Sequence, residues 1–170
     1  MAYCYKCGDK LIDKELEHEG IIPYCPSCKE YRFPFFSSAV SVIILDKERK
    51  KTLLVKQYHT NKYRLVAGYI NKGENAEEAL LREMMEELGV KPIKYQILKT
   101  LYFDKSNTLM INYYAILDNY SVNPNYEIDE YAWVNVEDAL DNLAEAKIAL
   151  QFFNYYLSIG KELWWIIQIK

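Results

Sequence analysis

The sequence predicts an α/β domain, with helices on both faces of a mixed sheet, preceded by a small cysteine-bearing unit. Two observations carry that expectation. β-branched runs stand on both sides of one amphipathic stretch, Asn75 to Gly89, and a second helical stretch follows near the C-terminus. Two C-x2-C pairs lie within the first 28 residues. The chain has 170 residues, of which 51% are hydrophobic, enough for one ordinary domain and an appendage.

Charge and hydropathy narrow the function classes. The net charge of −3 argues against a nonspecific nucleic-acid binder. No run of 18 apolar residues is present, so no membrane span or membrane partner is expected. The N-terminus has no signal-like apolar block, which predicts a cytoplasmic protein. Sixteen tyrosines suggest aromatic-rich faces or an interface. No repeat or low-complexity segment is visible.

Residues 1–33 form the first unit. Cys4-Tyr-Lys-Cys7 and Cys25-Pro-Ser-Cys28 are two knuckles separated by 17 residues. That spacing fits a closed Cys4 zinc site of structural type, a zinc ribbon. Two disulfides, or a redox pair, are the alternatives; all four cysteines in one pattern, with no secretion signal, favour zinc. Without metal the segment has too little apolar content to fold. Its charges are balanced, with Lys6, Lys10, Lys14, Lys29 and Arg32 against Asp9, Asp13, Glu15, Glu17, Glu19 and Glu30. A structural or dimer-forming role is therefore expected rather than nucleic-acid binding. His18 is read as a surface residue.

The second unit, residues 34–170, follows the linker Tyr31 to Pro34. Ser38 to Leu45 reads as a buried strand and Thr52 to Gln57 as a second, around the charged turn Asp46 to Lys51. Tyr63 to Ala67 leads into Gly68. Beyond the helix, Lys94 to Phe103 and Leu109 to Leu117 read as strands around the polar loop Asp104 to Thr108. Tyr131 to Val136 is a further short strand, and Asp138 to Leu157 is largely helical. Lys161 to Lys170 is an aromatic tail with Trp164 and Trp165, open to packing back as an edge element or to contacting a partner subunit.

The central helix carries the chemistry. Asn75 and Glu78 form a capping-box pattern, and Gly89 is the C-terminal stop before Pro92. Leu80, Leu81, Met84, Met85 and Leu88 form the expected core stripe. Glu83, Glu86 and Glu87 share an arc beside it at i, i+3, i+4 spacing. Arg82 lies one turn before Glu86 and one turn after Glu78, a ladder that would hold the arginine as an orienter. Clustered carboxylates repel, and a hard divalent cation, Mg²⁺ or Mn²⁺, relieves them. A solvated acidic helix face is the alternative for E-x-x-E-E alone.

The wider context favours the metal. Gly68, Glu74, Arg82, Glu83, Met84, Glu86, Glu87, Gly89 and Val90 fill every fixed position of the Nudix box, G-x5-E-x7-R-E-U-x-E-E-x-G-U. The chain resembles a Nudix hydrolase from about Pro34 to Leu157, with the ribbon outside. The resemblance implies an α/β/α sandwich and pyrophosphatase chemistry on a nucleoside diphosphate derivative, with water attacking phosphorus. It implies that Glu83, Glu86 and Glu87 hold Mg²⁺ or Mn²⁺, with the Gly68 carbonyl as a further ligand. Arg82 is expected to align the glutamates, and Glu74 to support the loop. A base for the water is also needed: one of the box glutamates, or a glutamate on the later loop, where family members with a ribbon bind metal, Glu127 ahead of Glu130. Surface acids on a polar loop are the other reading.

A ribbon joined to a Nudix box is similar to the NADH pyrophosphatase branch, which cuts dinucleotides and, in bacteria, removes NAD caps from RNA. The branch's S-Q-P-W-P-F-P array is absent: the matching stretch is Thr100-Leu-Tyr-Phe-Asp-Lys-Ser106, with Phe103 in the tryptophan place. Longer members also carry a domain before the ribbon, where this chain starts. NADH, ADP-ribose and FAD are therefore all candidate substrates, and capped RNA is the one nucleic acid the resemblance admits. Tyr102, Phe103 and Tyr113 are candidates to stack a base, with strand-core packing as the alternative. A homodimer accords with the aromatic content and with ribbon-bearing relatives. A non-catalytic ligand sensor or transcriptional regulator is the alternative function.

Overall fold

A computed structural model describes residues 2–143 and 147–167, with side chains to residue 160. Two compact units divide at Phe36/Ser37. The first extends three residues past the expected boundary, and there the Phe35 ring meets the Tyr5 ring edge-on at 5.5 Å.

In the first unit, strands β1 (Ile12–Leu16), β2 (Gly20–Cys25) and β3 (Glu30–Tyr31) form an antiparallel sheet in the order β1-β2-β3. Its described residues bury very little. Cys4 and Cys25 are its only buried apolar side chains, joined by the polar Arg32. The thiols are thus the core of this unit, as expected where the apolar content is too small to fold it.

In the second unit, β4 (Ser37–Leu45), β5 (Lys51–Gln57), β6 (Val66–Tyr69), β7 (Lys94–Phe103), β8 (Thr108–Ile116) and β9 (Ile128–Asn135) form a six-stranded sheet. Its main order is β7-β8-β4-β5-β9, and β6 pairs with β4. The pairing of β4 with β8 is parallel and the others are antiparallel, so the sheet is mixed. A parallel pair needs a crossover, and the central helix α1 (Ala76–Leu88) lies within it.

Alternation along the strands sends side chains to two cores. Val40, Val42 and Ile44 of β4 meet Leu80, Met84 and Leu88 of α1 on one face. Ile43 and Leu45 face the other, against α2 (Ala139–Asn142) and α3 (Lys147–Ile167), where Ala149, Phe153 and Tyr156 are buried. Each such buried aliphatic or aromatic side chain contributes roughly 1.5–3 kcal/mol. The layers are helix, sheet, helix, as the alternation of elements predicted.

Three sequence-based expectations change. Met85 is 40% exposed and Leu81 half-buried, while Ala79 is fully buried. At 100° per residue the buried face centres between Leu80 and Glu83, which puts Met85 on the opposite side. Glu87 falls within that face, so the acidic arc overlaps the apolar stripe instead of lying beside it. The helix at the C-terminus also continues through Ile167, so the backbone of the aromatic tail is helical rather than an edge strand. The Trp164 and Trp165 side chains and residues 168–170 lie outside the described residues.

Candidate active site and metal centre

Helix α1 is held at both ends. The Asn75 side chain accepts the Glu78 N–H at 2.8 Å, and the Glu78 carboxylate accepts the Asn75 N–H at 2.9 Å, completing the capping box. Gly89 ends the helix at φ 66°, a left-handed conformation that glycine adopts without a Cβ penalty.

The capping box commits Glu78, and the arginine takes a different partner from the expected ladder. Arg82 Nε donates to Glu74 Oε1 at 2.7 Å, and Nη2 donates to Glu74 Oε2 at 3.0 Å and to the Tyr69 carbonyl at 2.9 Å. Nη1 donates to Glu83 Oε1 at 2.5 Å and to Glu86 Oε2 at 3.1 Å. All five guanidinium donors are engaged, so Arg82 ties the loop, the strand end and two helix carboxylates together. Glu74 also accepts the Asn71 N–H at 2.9 Å, which closes the loop leading to the helix.

Glu87 sits at the bottom of this cluster, 4% exposed, where Gln57 Nε2 donates to its Oε2 at 2.9 Å. Burial first, then the charges of Glu83 and Glu127, push its carboxyl up to about 8, against the Gln57 hydrogen bond. The charge of Glu127 bears on Glu87, and its loop docks on the end of α1. Asn123 and Asn125 donate backbone N–H groups to the Leu88 and Glu87 carbonyls at 2.7 and 2.9 Å. The Asn125 side chain accepts the Glu127 N–H at 2.9 Å. Gly68 lies in β6 opposite Val40, and a Cβ there would fall 1.9 Å from a Glu83 carboxylate oxygen. Only glycine lets the backbone approach that carboxylate so closely.

The four cysteines form a second cluster. Their sulfurs all lie within 4.8 Å of one another, with Cys4 Sγ to Cys28 Sγ at 3.9 Å and Cys7 Sγ to Cys25 Sγ at 3.4 Å. A tetrahedron with Zn–S bonds of about 2.3 Å has sulfur–sulfur edges of about 3.8 Å, so the sites of the thiols fit zinc. Arg32 Nε donates to Cys4 Sγ at 3.2 Å. Burial pushes the Cys4 thiol up, but this guanidinium and nearby backbone amides outweigh it and bring it down to about 6. Cys7 takes an Asp9 backbone hydrogen bond that favours the thiolate, yet crowding by Cys25 and Cys28 drives it up to about 12. The four sulfur positions could hold one dication between them.

With both clusters placed, comparison identifies the family. The NUDIX domain matches residues 36–154, more than half of the chain. The chain is a Nudix hydrolase. It is related to the NAD-capped RNA hydrolase NudC. The Pseudomonas aeruginosa NudC is 25% identical over 158 residues, covering 92% of this chain and 55% of that protein. The Chromobacterium violaceum NudC is 32% identical over 142 residues, covering 81% and 52%. The chain thus spans about half the length of the curated relatives it matches. Among solved structures, the NUDIX hydrolase from Nitrosomonas europaea superposes with a TM-score of 0.63 at 19% identity, covering 95% of this chain and 93% of that one. The NUDIX domain of Shewanella oneidensis NrtR, complexed with ADP ribose, gives 0.61 at 18% identity, covering 79% and 92%. At these identities the two structures establish the fold alone.

The Nudix fold separates the remaining candidates. Glu130 is committed elsewhere, accepting Lys56 Nζ at 2.9 Å and the Tyr63 hydroxyl at 2.7 Å. Tyr102 and Phe103 point to opposite faces of β7. Tyr102 pairs with Leu109 on the α1 face, half-exposed, and its hydroxyl hydrogen-bonds Asn107. Phe103 pairs with Thr108 on the α3 face, away from the glutamates. Tyr113 is buried at 2% exposure, its hydroxyl donating to Glu77 at 3.0 Å, so it belongs to the core. A cavity of about 270 Å³, lined by Ser41, Leu65, Ala67, Met110 and Phe152 among others, lies on the α3 side and contains no carboxylate. Sequence reasoning missed Gln57, Asn123, Asn125 and Arg32. The asparagines belong to no motif, but Gln57 ends an apolar strand, where a polar residue is the only signal available.

The buried Glu87, as a ligand, would make cation binding proton-linked. Its raised carboxyl keeps a proton in the metal-free protein below about pH 8, and a cation must displace it. Mg²⁺ affinity should therefore rise with pH up to about 8 and level off above it. Calorimetry at pH 7 in buffers of different ionisation enthalpy should register proton release on Mg²⁺ binding, and the same titration at pH 9.5 almost none.

Proposed function

We propose that this Nudix hydrolase is an Mg²⁺- or Mn²⁺-dependent pyrophosphohydrolase that cleaves the diphosphate linkage of a dinucleotide or related compound, with NADH, ADP-ribose and FAD as the candidate substrates. The NudC relationship supports NADH first, and the NAD-capped end of an RNA offers the same linkage. The observation that carries this reading is the Glu87 carboxyl, 4% exposed and bonded to Gln57, whose charge is disfavoured first by burial and then by Glu83 and Glu127. A buried carboxyl with raised proton affinity beside two further carboxylates is the pattern of a functional site rather than of packing.

Glu83, Glu86, Glu87 and Glu127, with the Gly68 carbonyl, are the groups we assign to hold the cation. When bound, the cation neutralises the diphosphate and acidifies the attacking water. Arg82 is a positioning residue, because every donor it has is spent on Glu74, Glu83, Glu86 and Tyr69. Glu127 is assigned to accept the water's proton, since its loop brings a carboxylate to the cluster without an Arg82 bond. We assign structural zinc to Cys4, Cys7, Cys25 and Cys28, with Arg32 supporting the Cys4 thiolate.

Product analysis with Mg²⁺ against NADH, NAD⁺, ADP-ribose, FAD and nucleoside triphosphates tests the reading. Two mononucleotides from NADH are the expected result, and would make the missing aromatic array dispensable. Turnover of ADP-ribose or FAD alone would move the specificity and keep the chemistry. Bound metal and bound nucleotide with no turnover would replace the enzyme by a ligand sensor, a use of the fold in keeping with the ADP-ribose complex of the NrtR domain.

A further inference from the structure

The chain leaves β5 through two consecutive non-glycine residues in the left-handed region, Tyr58 at φ 57° and His59 at φ 54°. Residues with a Cβ avoid that conformation, and it persists only where the surroundings over-determine it. Here they do. Asp129 accepts the His59 N–H at 2.6 Å and meets His59 Nδ1 at 2.9 Å. The Thr60 N–H and hydroxyl both donate to the Gln57 carbonyl, at 3.2 and 2.8 Å. Gln57, the residue just before the turn, is the one that touches Glu87.

The turn presents an aromatic ring at the edge of the carboxylate site. Tyr58 is 65% exposed. It directly follows Gln57, whose side chain touches Glu87, and partial burial first, then the charges of Glu127, Glu87 and Glu83, raise its proton affinity. Behind the ring stands Arg64, its guanidinium carbon 5.8 Å from the ring centre and its Nη2 donating to Thr60 Oγ1 at 2.9 Å. Arg64 forms no ion pair with a carboxylate among the described residues.

We infer that Tyr58, backed by Arg64, is the stacking platform for an aromatic base of the nucleotide whose diphosphate the glutamate cluster handles. This rests on reading that cluster as a pyrophosphohydrolase site. The ligand class follows from the chemistry. An exposed ring beside cation-binding carboxylates fits a molecule that joins a planar base to a diphosphate within a few bonds. Stacking tolerates different bases, in keeping with a dinucleotide substrate. The guanidinium behind the ring stiffens it and offsets the negative field of the glutamates where the anionic ligand enters.

The test compares the parent with Tyr58→Phe, Tyr58→Leu and Tyr58→Gly, by calorimetric binding of ADP-ribose, NADH and FAD and by KM and kcat for whichever is cleaved. Leucine keeps the backbone strain and removes the ring; glycine removes both. Tyr58→Phe should bind as the parent does. Tyr58→Leu and Tyr58→Gly should weaken binding and raise KM by about 5- to 150-fold, with a much smaller change in kcat. Tyr58→Gly should melt at or above the parent temperature, which separates lost binding from lost folding. Unchanged affinity in both the leucine and glycine variants would overturn the platform. So would a phenylalanine variant as weak as leucine, or a parent that binds none of the three compounds. A parent that binds but cleaves none would instead overturn the hydrolase reading, and the binding comparison would still decide the role of Tyr58.

Discussion

Glu87→Gln abolishes turnover, by roughly a hundredfold or more, while leaving the metal-free protein folded and, above pH 8, more stable than the parent. The first part follows from losing a carboxylate in a cation site, where several kcal/mol of transition-state stabilisation is at stake and each 1.4 kcal/mol is about tenfold in rate. The second part follows from linkage. The folded-state carboxyl is raised above its ordinary value to about 8. A carboxyl raised on folding contributes stability that is present at low pH, near its unfolded value, and is lost as pH rises through 8. Glutamine cannot ionise, so it escapes that loss, and its amide oxygen can still accept the Gln57 N–H. The stability difference, on the order of a few kcal/mol, should open between pH 4.5 and 8 and vanish at the acidic end. Thermal melts against pH, with and without Mg²⁺, measure it: Mg²⁺ should raise the parent's midpoint and leave the variant's where it was. A residue with only a packing role would lose stability on this change and would show no Mg²⁺ dependence. Glu86→Gln should lose turnover without the pH-dependent gain, because Glu86 is exposed and paired with Arg82.

Stripping the zinc we assign to the four cysteines, or replacing Cys25 with serine, should unfold the first unit. The described part of Met1–Phe36 buries two cysteines and an arginine and little else, so no apolar core remains when the metal leaves. Structural zinc contributes about 10–16 kcal/mol of apparent binding free energy in small zinc units, more than such a segment's other interactions can replace. Limited proteolysis after chelation should cut within residues 1–36, while a thermal transition of the Ser37–Lys170 unit survives. Intact protection of the first unit with all zinc removed, verified by metal analysis, would show that the sheet holds itself. Arg32 should matter second: its buried guanidinium balances a cluster that carries two net negative charges once four thiolates bind one dication.

The sequence by itself determined the family, the helix that carries the acids, the caps that bound it and the four-cysteine pattern. Each is local: a capping box and a C-x2-C knuckle each span four residues, and the Nudix box one loop and one helix. The alternation of β-branched runs also predicted the layers, because strand and helix periods are read within a single element. What only the tertiary structure decided involves residues far apart in the chain. The partner of Arg82 is Glu74 rather than Glu78, since the loop folds back over the helix. Glu87 lies under its neighbours because the end of the interior strand β5 supplies Gln57. The charge of Glu127 bears on Glu87, whereas strand pairing gives Glu130 to Lys56, while asparagine bonds dock the loop before it on α1. Tyr102 and Phe103 part company for the same reason: strand alternation decides their faces, and register decides which face meets α1. Tyr58 was invisible in the chain, because neither its composition nor its spacing announces a left-handed turn. Contacts across 70 residues hold that turn, and a periodicity read along the chain carries no information about them.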